Sequence, residues 1–273
     1  MDNSTNVVKR HPVIAFYILA FAISWLGWIP QALYQRGLFP FDHPLLNFLG
    51  GGGPTIAAVI VILVFKEKDG IRKLFTPLFK LRVSFWWFVF AFGFWAVVTA
   101  IALGIGTIFG QVLPAFGQSK WVSLLPIFVM MLLSNVWEEI GWRGFALPHL
   151  QENYSDLKIV FITGIMWHLW HLPLMLNPTS PMSTLPWYGE IIFSLSLSVI
   201  YTWLYLHTNR SLFFVSVFHA MSNTMAFVLL ELGVFVSSYA FVVGIIAIFA
   251  LVIILIYGPM RFIKTSLKAS DGE

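Results

Sequence analysis

The sequence predicts an all-α protein, a polytopic bundle of about eight membrane-spanning helices. Three observations predict it. Of 273 residues, 59% are hydrophobic and only 10% are charged, against about 45–50% and about 25% in soluble domains. Long charge-free runs recur, among them 11–35, 43–65, 83–119 and 232–260, and roughly 20 mostly apolar residues suffice to cross a bilayer. Lys and Arg fall between these runs in an asymmetric way that fits an even number of crossings. A soluble core would not be written in this way, and the whole of 1–273 reads as one integral membrane domain.

The first span is expected over 12–33. Lys9 and Arg10 ahead of it could open a signal peptide, but the run exceeds an h-region of about 7–15 residues and lacks a clear small-residue cleavage site. Residues 34–48 read as a loop. Gly50 to Gly53, followed by Pro54, read as a flexible entry into a second span over 49–66, either a turn or a close helix contact. They are not a phosphate cradle, because no GK[ST] follows. Further spans are expected over 84–108, 121–147, 158–176, 186–207, 211–231 and 236–260, with no internal repeat and no low-complexity tail.

Basic residues set the orientation. With a cytoplasmic N-terminus, thirteen fall on the inner side: Lys9, Arg10, Lys66, Lys68, Arg72, Lys73, Lys80, Arg82, Lys158, Arg210, Arg261, Lys264 and Lys268. Arg36 and Lys120 fall outside, and Arg143 lies within a span. Both termini are therefore expected in the cytoplasm, with 67–83 on the inner membrane surface. A net charge of +4 is read as this topology signal rather than as nucleic-acid binding. The absence of Cys excludes disulfides, thiolate nucleophiles and Cys-ligated metals.

Ionisable residues inside lipid cost about 2.5–3.5 kcal/mol each on the lenient insertion scale and tend to be paired or functional. They concentrate in three spans. The fourth carries Ser134, Asn135, Glu138, Glu139 and Arg143, the fifth His168 and His171, and the seventh His219, Ser222 and Asn223. Glu139 and Arg143, at i and i+4, are expected to form an ion pair along one face. Glu138 points about 100° away, beside Ser134, Asn135 and Gly141, which leave room for water. A carboxylate so placed suits a general base. The competing reading makes Glu138, Glu139 and Arg143 a structural knot between helices.

His168 and His171 present to one side of their helix, and Pro173 disturbs it just beyond them. His171, next to this break, is the better candidate for chemistry, whereas His168 can be a hydrogen-bonded core histidine. His219 and Asn223, at i and i+4, place two donors side by side, a pair able to hold an oxyanion or to clamp two helices. At 1.5 Å per residue, Glu138 lies roughly 14 Å, His219 roughly 12 Å and His171 roughly 20 Å from the inner ends of their helices. The three can therefore meet in the cytoplasmic half of the bilayer.

These residues resemble the motifs of the CPBP (Abi) family, intramembrane proteases related to the type II CAAX prenyl endopeptidases. Glu138-Glu139-Ile140-Gly141-Trp142-Arg143 fits EExxxR, Trp167 to His171 fits FxxxH with Trp in place of Phe, and His219 with Asn223 fits the third motif. The resemblance covers a core of about 120–230. It implies peptide-bond hydrolysis within the membrane, with Glu138 and His171 activating a water, His219 and Asn223 holding the oxyanion, and Glu139 and Arg143 orienting the site. It assigns His168 no role. The implied substrate is a membrane-embedded or lipidated peptide or protein, possible forms including a prenylated one, and the implied compartment is the cell membrane. Glu138, His171 and His219 would supply a His₂Glu set resembling some zinc sites, but the local HExxH arrangement is missing and the resemblance favours a mechanism without cofactor or zinc. Two other functions compete. One is a non-catalytic membrane regulator, scaffold or bacteriocin self-immunity protein; the other is a proton-coupled transporter relaying through the same three side chains.

Overall fold

The computed structural model describes residues 11–115 and 117–263, apart from the side chains of 118–120. Lys9, Arg10, Lys264 and Lys268 lie outside the described residues, as does the side chain of Lys120. The elements in order are α1 (Pro12–Tyr34), α2 (Pro44–Phe65), the short α3 (Gly70–Phe75), α4 (Phe85–Ile108) and α5 (Gln118–Glu139). Then α5 runs without a break through a π-helical segment, Ile140–Ala146, into α6 (Leu147–Gln151). There follow α7 (Asp156–Trp170), α8 (Leu172–Leu176), α9 (Trp187–His207), α10 (Leu212–Glu231) and α11 (Phe235–Tyr257). No strand occurs among the described residues. Eight of the helical stretches are long and apolar enough to cross a membrane, and their limits agree with the expected spans to within a few residues. The chain is a multi-pass membrane protein.

Local sequence signals fix several starts. Proline stands at the first helical position of α1 and α2, where its missing N–H costs nothing. His43 Nδ1 accepts from the Leu45 amide at 3.2 Å and caps α2, and Ser155 Oγ caps α7 through the Lys158 amide. Pro30, Pro54 and Pro126 lie inside α1, α2 and α5, as membrane helices tolerate when neighbours re-satisfy the freed backbone.

The glycine run is not a flexible entry: α2 begins before it, at Pro44, and continues through it without interruption. Its purpose is close approach, the second of the two readings. A Cβ on Gly27 would lie 2.2 Å from the Leu46 carbonyl oxygen and 2.8 Å from the Gly50 amide nitrogen. Small residues on both helices let α1 and α2 pack backbone to backbone, as in membrane helix pairs generally.

Loop contacts sort the connections onto two faces. On one, Lys80 Nζ donates to the Asn209 carbonyl and Asn209 Nδ2 to the Arg82 carbonyl, both at 3.3 Å. Arg261 on the same face binds the Asp156 carboxylate and the Gln151 and Tyr154 carbonyls. Here Lys68, ahead of α3, and Arg72 and Lys73 on it are exposed, while Leu74 turns inward. On the other face, Arg36 Nη2 donates to the Leu176 carbonyl at 2.7 Å, and Gln111 bonds Ser237 and Ser238. The basic connections thus share one face, as the sequence implied.

Because the Gly27 contacts are backbone atoms, no rotamer change can relieve them. Gly27→Ala should lower stability by roughly 1–3 kcal/mol, read as a reduced thermal unfolding midpoint in detergent. An unchanged midpoint would show that α1 and α2 can separate at no cost.

Candidate active site

Glu139 stands at the C-terminal end of α5, where the backbone passes into the π segment, and it is fully buried. Its Oε1 accepts from Arg143 Nη1 at 3.1 Å and from His219 Nδ1 at 2.8 Å. The expected i, i+4 pair is therefore present, and a histidine from α10 joins it. Arg143 is itself buried, with its guanidinium 4.4 Å from the centre of the Tyr201 ring and 5.6 Å from that of Trp167. Such cation–π contacts gain strength away from water.

The π segment needs an unusual neighbour. A Cβ on Gly141 would fall 2.4 Å from Pro54 Cβ and 2.5 Å from the Pro54 carbonyl carbon. The space at Gly141, which the sequence left to water, is therefore filled by α2. Thr55, one residue on, donates its hydroxyl to the Trp137 carbonyl. Single π turns inside α-helices often mark functional sites, and here the π segment begins directly after Glu139 and contains the rest of the EExxxR motif.

Glu138 is nearly buried and borders a cavity of about 640 Å³. Its Oε2 accepts from Trp167 Nε1 at 3.5 Å, a long contact that leaves the carboxylate available to the cavity. Neither Arg143 nor a histidine bonds it. Of two adjacent carboxylates, one is anchored and one is free.

His171 closes α7. Its Nδ1 lies 2.8 Å from the Trp167 carbonyl oxygen, and a carbonyl can only accept, so Nδ1 carries the proton. In the neutral ring this leaves Nε2 with its lone pair, the tautomer a base requires. The ring lies against Trp170, Trp167 and Trp28. Trp25 Nε1 donates to the Trp170 carbonyl at 3.0 Å, so α1 braces this end of α7.

His219 spends Nδ1 on Glu139, which leaves Nε2 for the cavity it borders. Asn223 donates through Nδ2 to Asn135 Oδ1 at 3.1 Å. One of its amide protons is thus used as a clamp between α5 and α10, and the other remains. The clamp reading of the third motif is thus present in the structure.

Trp167 was read from sequence only as an aromatic in the place of Phe. It touches Glu138 through its N–H, and its ring lies 5.1 Å from that of His171 and 5.6 Å from that of His219. All the expected site residues gather around it except Asn223, which joins through Asn135 and the cavity wall. Ser134 is exposed and takes no part, and His168 is buried with Nδ1 unpartnered, away from the cavity lining. Glu190 was missed altogether. It is buried, borders the same cavity and accepts from the Tyr239 hydroxyl; the signal was present as a lone acid in span six.

Residues 119–225 match the family described as Type II CAAX prenyl endopeptidase Rce1-like. Over 227 residues the chain is 26% identical to CAAX prenyl protease 2 of Methanococcus maripaludis, covering 79% of this chain and 83% of that protein. Over that segment the chain is similar to the type II CAAX prenyl endopeptidases. The matched segment contains α5, the π segment and α7, together with the part of α10 that bears His219 and Asn223. The helices α1 and α2 lie outside that segment, yet they supply the wall behind His171 and the support of the π turn.

Breaking a buried ion pair by removing one partner costs about 3–5 kcal/mol, because the other charge stays behind. Arg143→Ala should therefore reduce both the folded yield and the thermal midpoint in detergent. Normal values for both would mean that Glu139 is held by His219 alone.

Proposed function

We propose that the protein is an intramembrane endopeptidase that hydrolyses a peptide bond of a membrane-associated substrate with a water activated by Glu138 and His171. The observation that carries this reading is the contrast between the two glutamates: Glu139 is tied to Arg143 and His219, while Glu138 faces the cavity with only one long contact. A purely structural cluster has no need of an untied buried carboxylate at the wall of a cavity, since such a group is costly in lipid.

The water gives one proton to Glu138, or to His171 Nε2, as its oxygen bonds to the carbonyl carbon. The carbonyl oxygen becomes an oxyanion, stabilised by His219 Nε2–H when that ring is doubly protonated and by the remaining Asn223 amide proton. Glu139 supports the charged ring through Nδ1. The proton then passes to the amide nitrogen, the C–N bond breaks to a carboxylic acid and an amine, and the acid's proton transfers to the amine, so that a carboxylate and an ammonium leave. Each step of this route uses only the water and the side chains of Glu138, His171, His219 and Asn223.

The substrate we propose is a lipidated, including prenylated, or apolar peptide, since most of the cavity wall is aromatic or aliphatic. The mouth of the cavity includes the exposed Asn47, Pro181 and Leu230, on the face opposite the basic connections. With both termini in the cytoplasm of a cell-membrane protein, as the distribution of Lys and Arg favours, the mouth opens on the other side.

The absence of Cys makes this orientation directly testable. With an impermeant maleimide on intact cells, Thr184→Cys should be labelled and Thr76→Cys only after lysis; the reverse pattern overturns the orientation. For the activity, membrane-protein termini should be compared in cells expressing the wild-type chain or Glu138→Gln at matched levels. New termini should appear only with the wild type, and equal termini in both would remove Glu138 as the base. Once a substrate is in hand, His219→Ala should slow turnover by about 10²–10³, whereas an unchanged rate would dismiss the oxyanion role.

A further inference from the structure

The cavity has a second acid. Among the described residues, its charged lining residues apart from the histidines are Glu138 and Glu190, and no Lys or Arg borders it. Glu190 lies in the first turn of α9, and its residue surface is 3% exposed. One carboxyl oxygen, Oε1, accepts from the Tyr239 hydroxyl of α11. The other, Oε2, has no protein partner among the hydrogen bonds of the described residues. It is also absent from the polar atoms sealed completely away, so it borders the cavity rather than the packed core. Around it the wall is apolar or weakly polar: Leu185, Phe193, Ser194, Phe235 and Val242. The catalytic residues come from α5, α7 and α10, whereas Glu190 and Tyr239 belong to α9 and α11.

A carboxylate in an apolar, membrane-level wall is costly unless a cation or several donors compensate it. Arg143 compensates Glu139 from within the protein. No side chain does the same for Glu190, and the Tyr239 hydroxyl supplies one hydrogen bond but no charge. The alternative is a neutral polar clamp between α9 and α11, which would fix the helices but would not distinguish among ligands.

We propose that Glu190, held by Tyr239, is a substrate subsite that receives a cationic group of the peptide, a Lys or Arg side chain or a free amino terminus, while the rest of the wall takes its apolar portion. This deepens the endopeptidase reading and rests on it for the identity of the ligand as a substrate, but the subsite itself is a binding property. A Lys ammonium or Arg guanidinium brought to Oε2 would complete the pairing that the fold leaves open, and the Tyr239 bond keeps the carboxylate from rotating away. Peptides with a neutral side chain of the same length would leave that charge unmet.

The test measures binding of fluorescent apolar peptides to the full-length protein in detergent micelles, with cleavage followed in parallel. The peptides differ at one position, Lys against norleucine, which is scanned along the sequence. At one position the Lys peptide should bind at least about tenfold more tightly, the low end of coupling between close charge pairs. Glu190→Gln, nearly isosteric and still able to accept from Tyr239, should erase that preference while leaving the norleucine affinity unchanged. Tyr239→Phe, which keeps the carboxylate, should weaken the preference without erasing it, and it carries the test if Glu190→Gln does not fold. Equal affinities for Lys and norleucine peptides at every position would overturn the proposal. So would a preference untouched by a folded Glu190→Gln, or by Tyr239→Phe where that variant carries the test. Charge-dependent binding without any cleavage would leave the subsite standing and count against the endopeptidase reading instead.

Discussion

The Glu139 carboxylate is the interaction on which the rest of the site depends. It is fully buried at membrane level, and its Oε1 receives Arg143 from its own helical stretch and His219 from α10. A buried charge in that setting must be matched or it destabilises the fold. Matching it fixes the rotation of the π segment, the approach of α10 and the tautomer of His219 together. The guanidinium then lies against Tyr201 of α9, so a third stretch of helix is joined to the same charge.

Because Glu139 meets that demand, its neighbour need not. Successive residues on a helix point about 100° apart, so the residue beside a buried anchor emerges on another face, which here borders the cavity. The anchor works only if the helix may widen by a π turn next to an intruding helix, and Gly141 against Pro54 makes that possible. The glycine-rich stretch of α2, seemingly far from the chemistry, is thereby part of the device. The close α1–α2 pair also carries Trp25 and Trp28 to the end of α7, where they brace Trp170 and His171. His171 then keeps its proton on Nδ1 through a backbone carbonyl of its own helix, so its orientation depends on how α7 ends rather than on any distant partner.

Features repeating within a single helix could be read from the sequence, and features made between helices mostly could not. The eight spans follow from run length and charge, and the Glu139–Arg143 pair from i, i+4 spacing. His219 on Glu139, 80 residues away, has no local signature. Neither has the Asn223–Asn135 clamp. The glycine run was misread because the same residues serve flexible turns and tight packing, and only the partner helix decides between them. Trp167 looked interchangeable with Phe because its indole N–H matters only once Glu138 stands opposite it. Glu190 was overlooked for lack of a polar neighbour in sequence; its partner, Tyr239, lies two spans further on.

The central claim is a division of labour between two adjacent carboxylates, one holding the fold and one doing chemistry. The direct measurement compares Glu138→Gln with Glu139→Gln for thermal midpoint in detergent and for turnover of a substrate peptide. The account predicts that Glu139→Gln lowers the midpoint clearly, by weakening the bonds to Arg143 and His219, and that Glu138→Gln leaves the midpoint near that of the wild type while turnover disappears. A Glu138→Gln protein that still cleaves, or a Glu139→Gln protein as stable as the wild type, would contradict it.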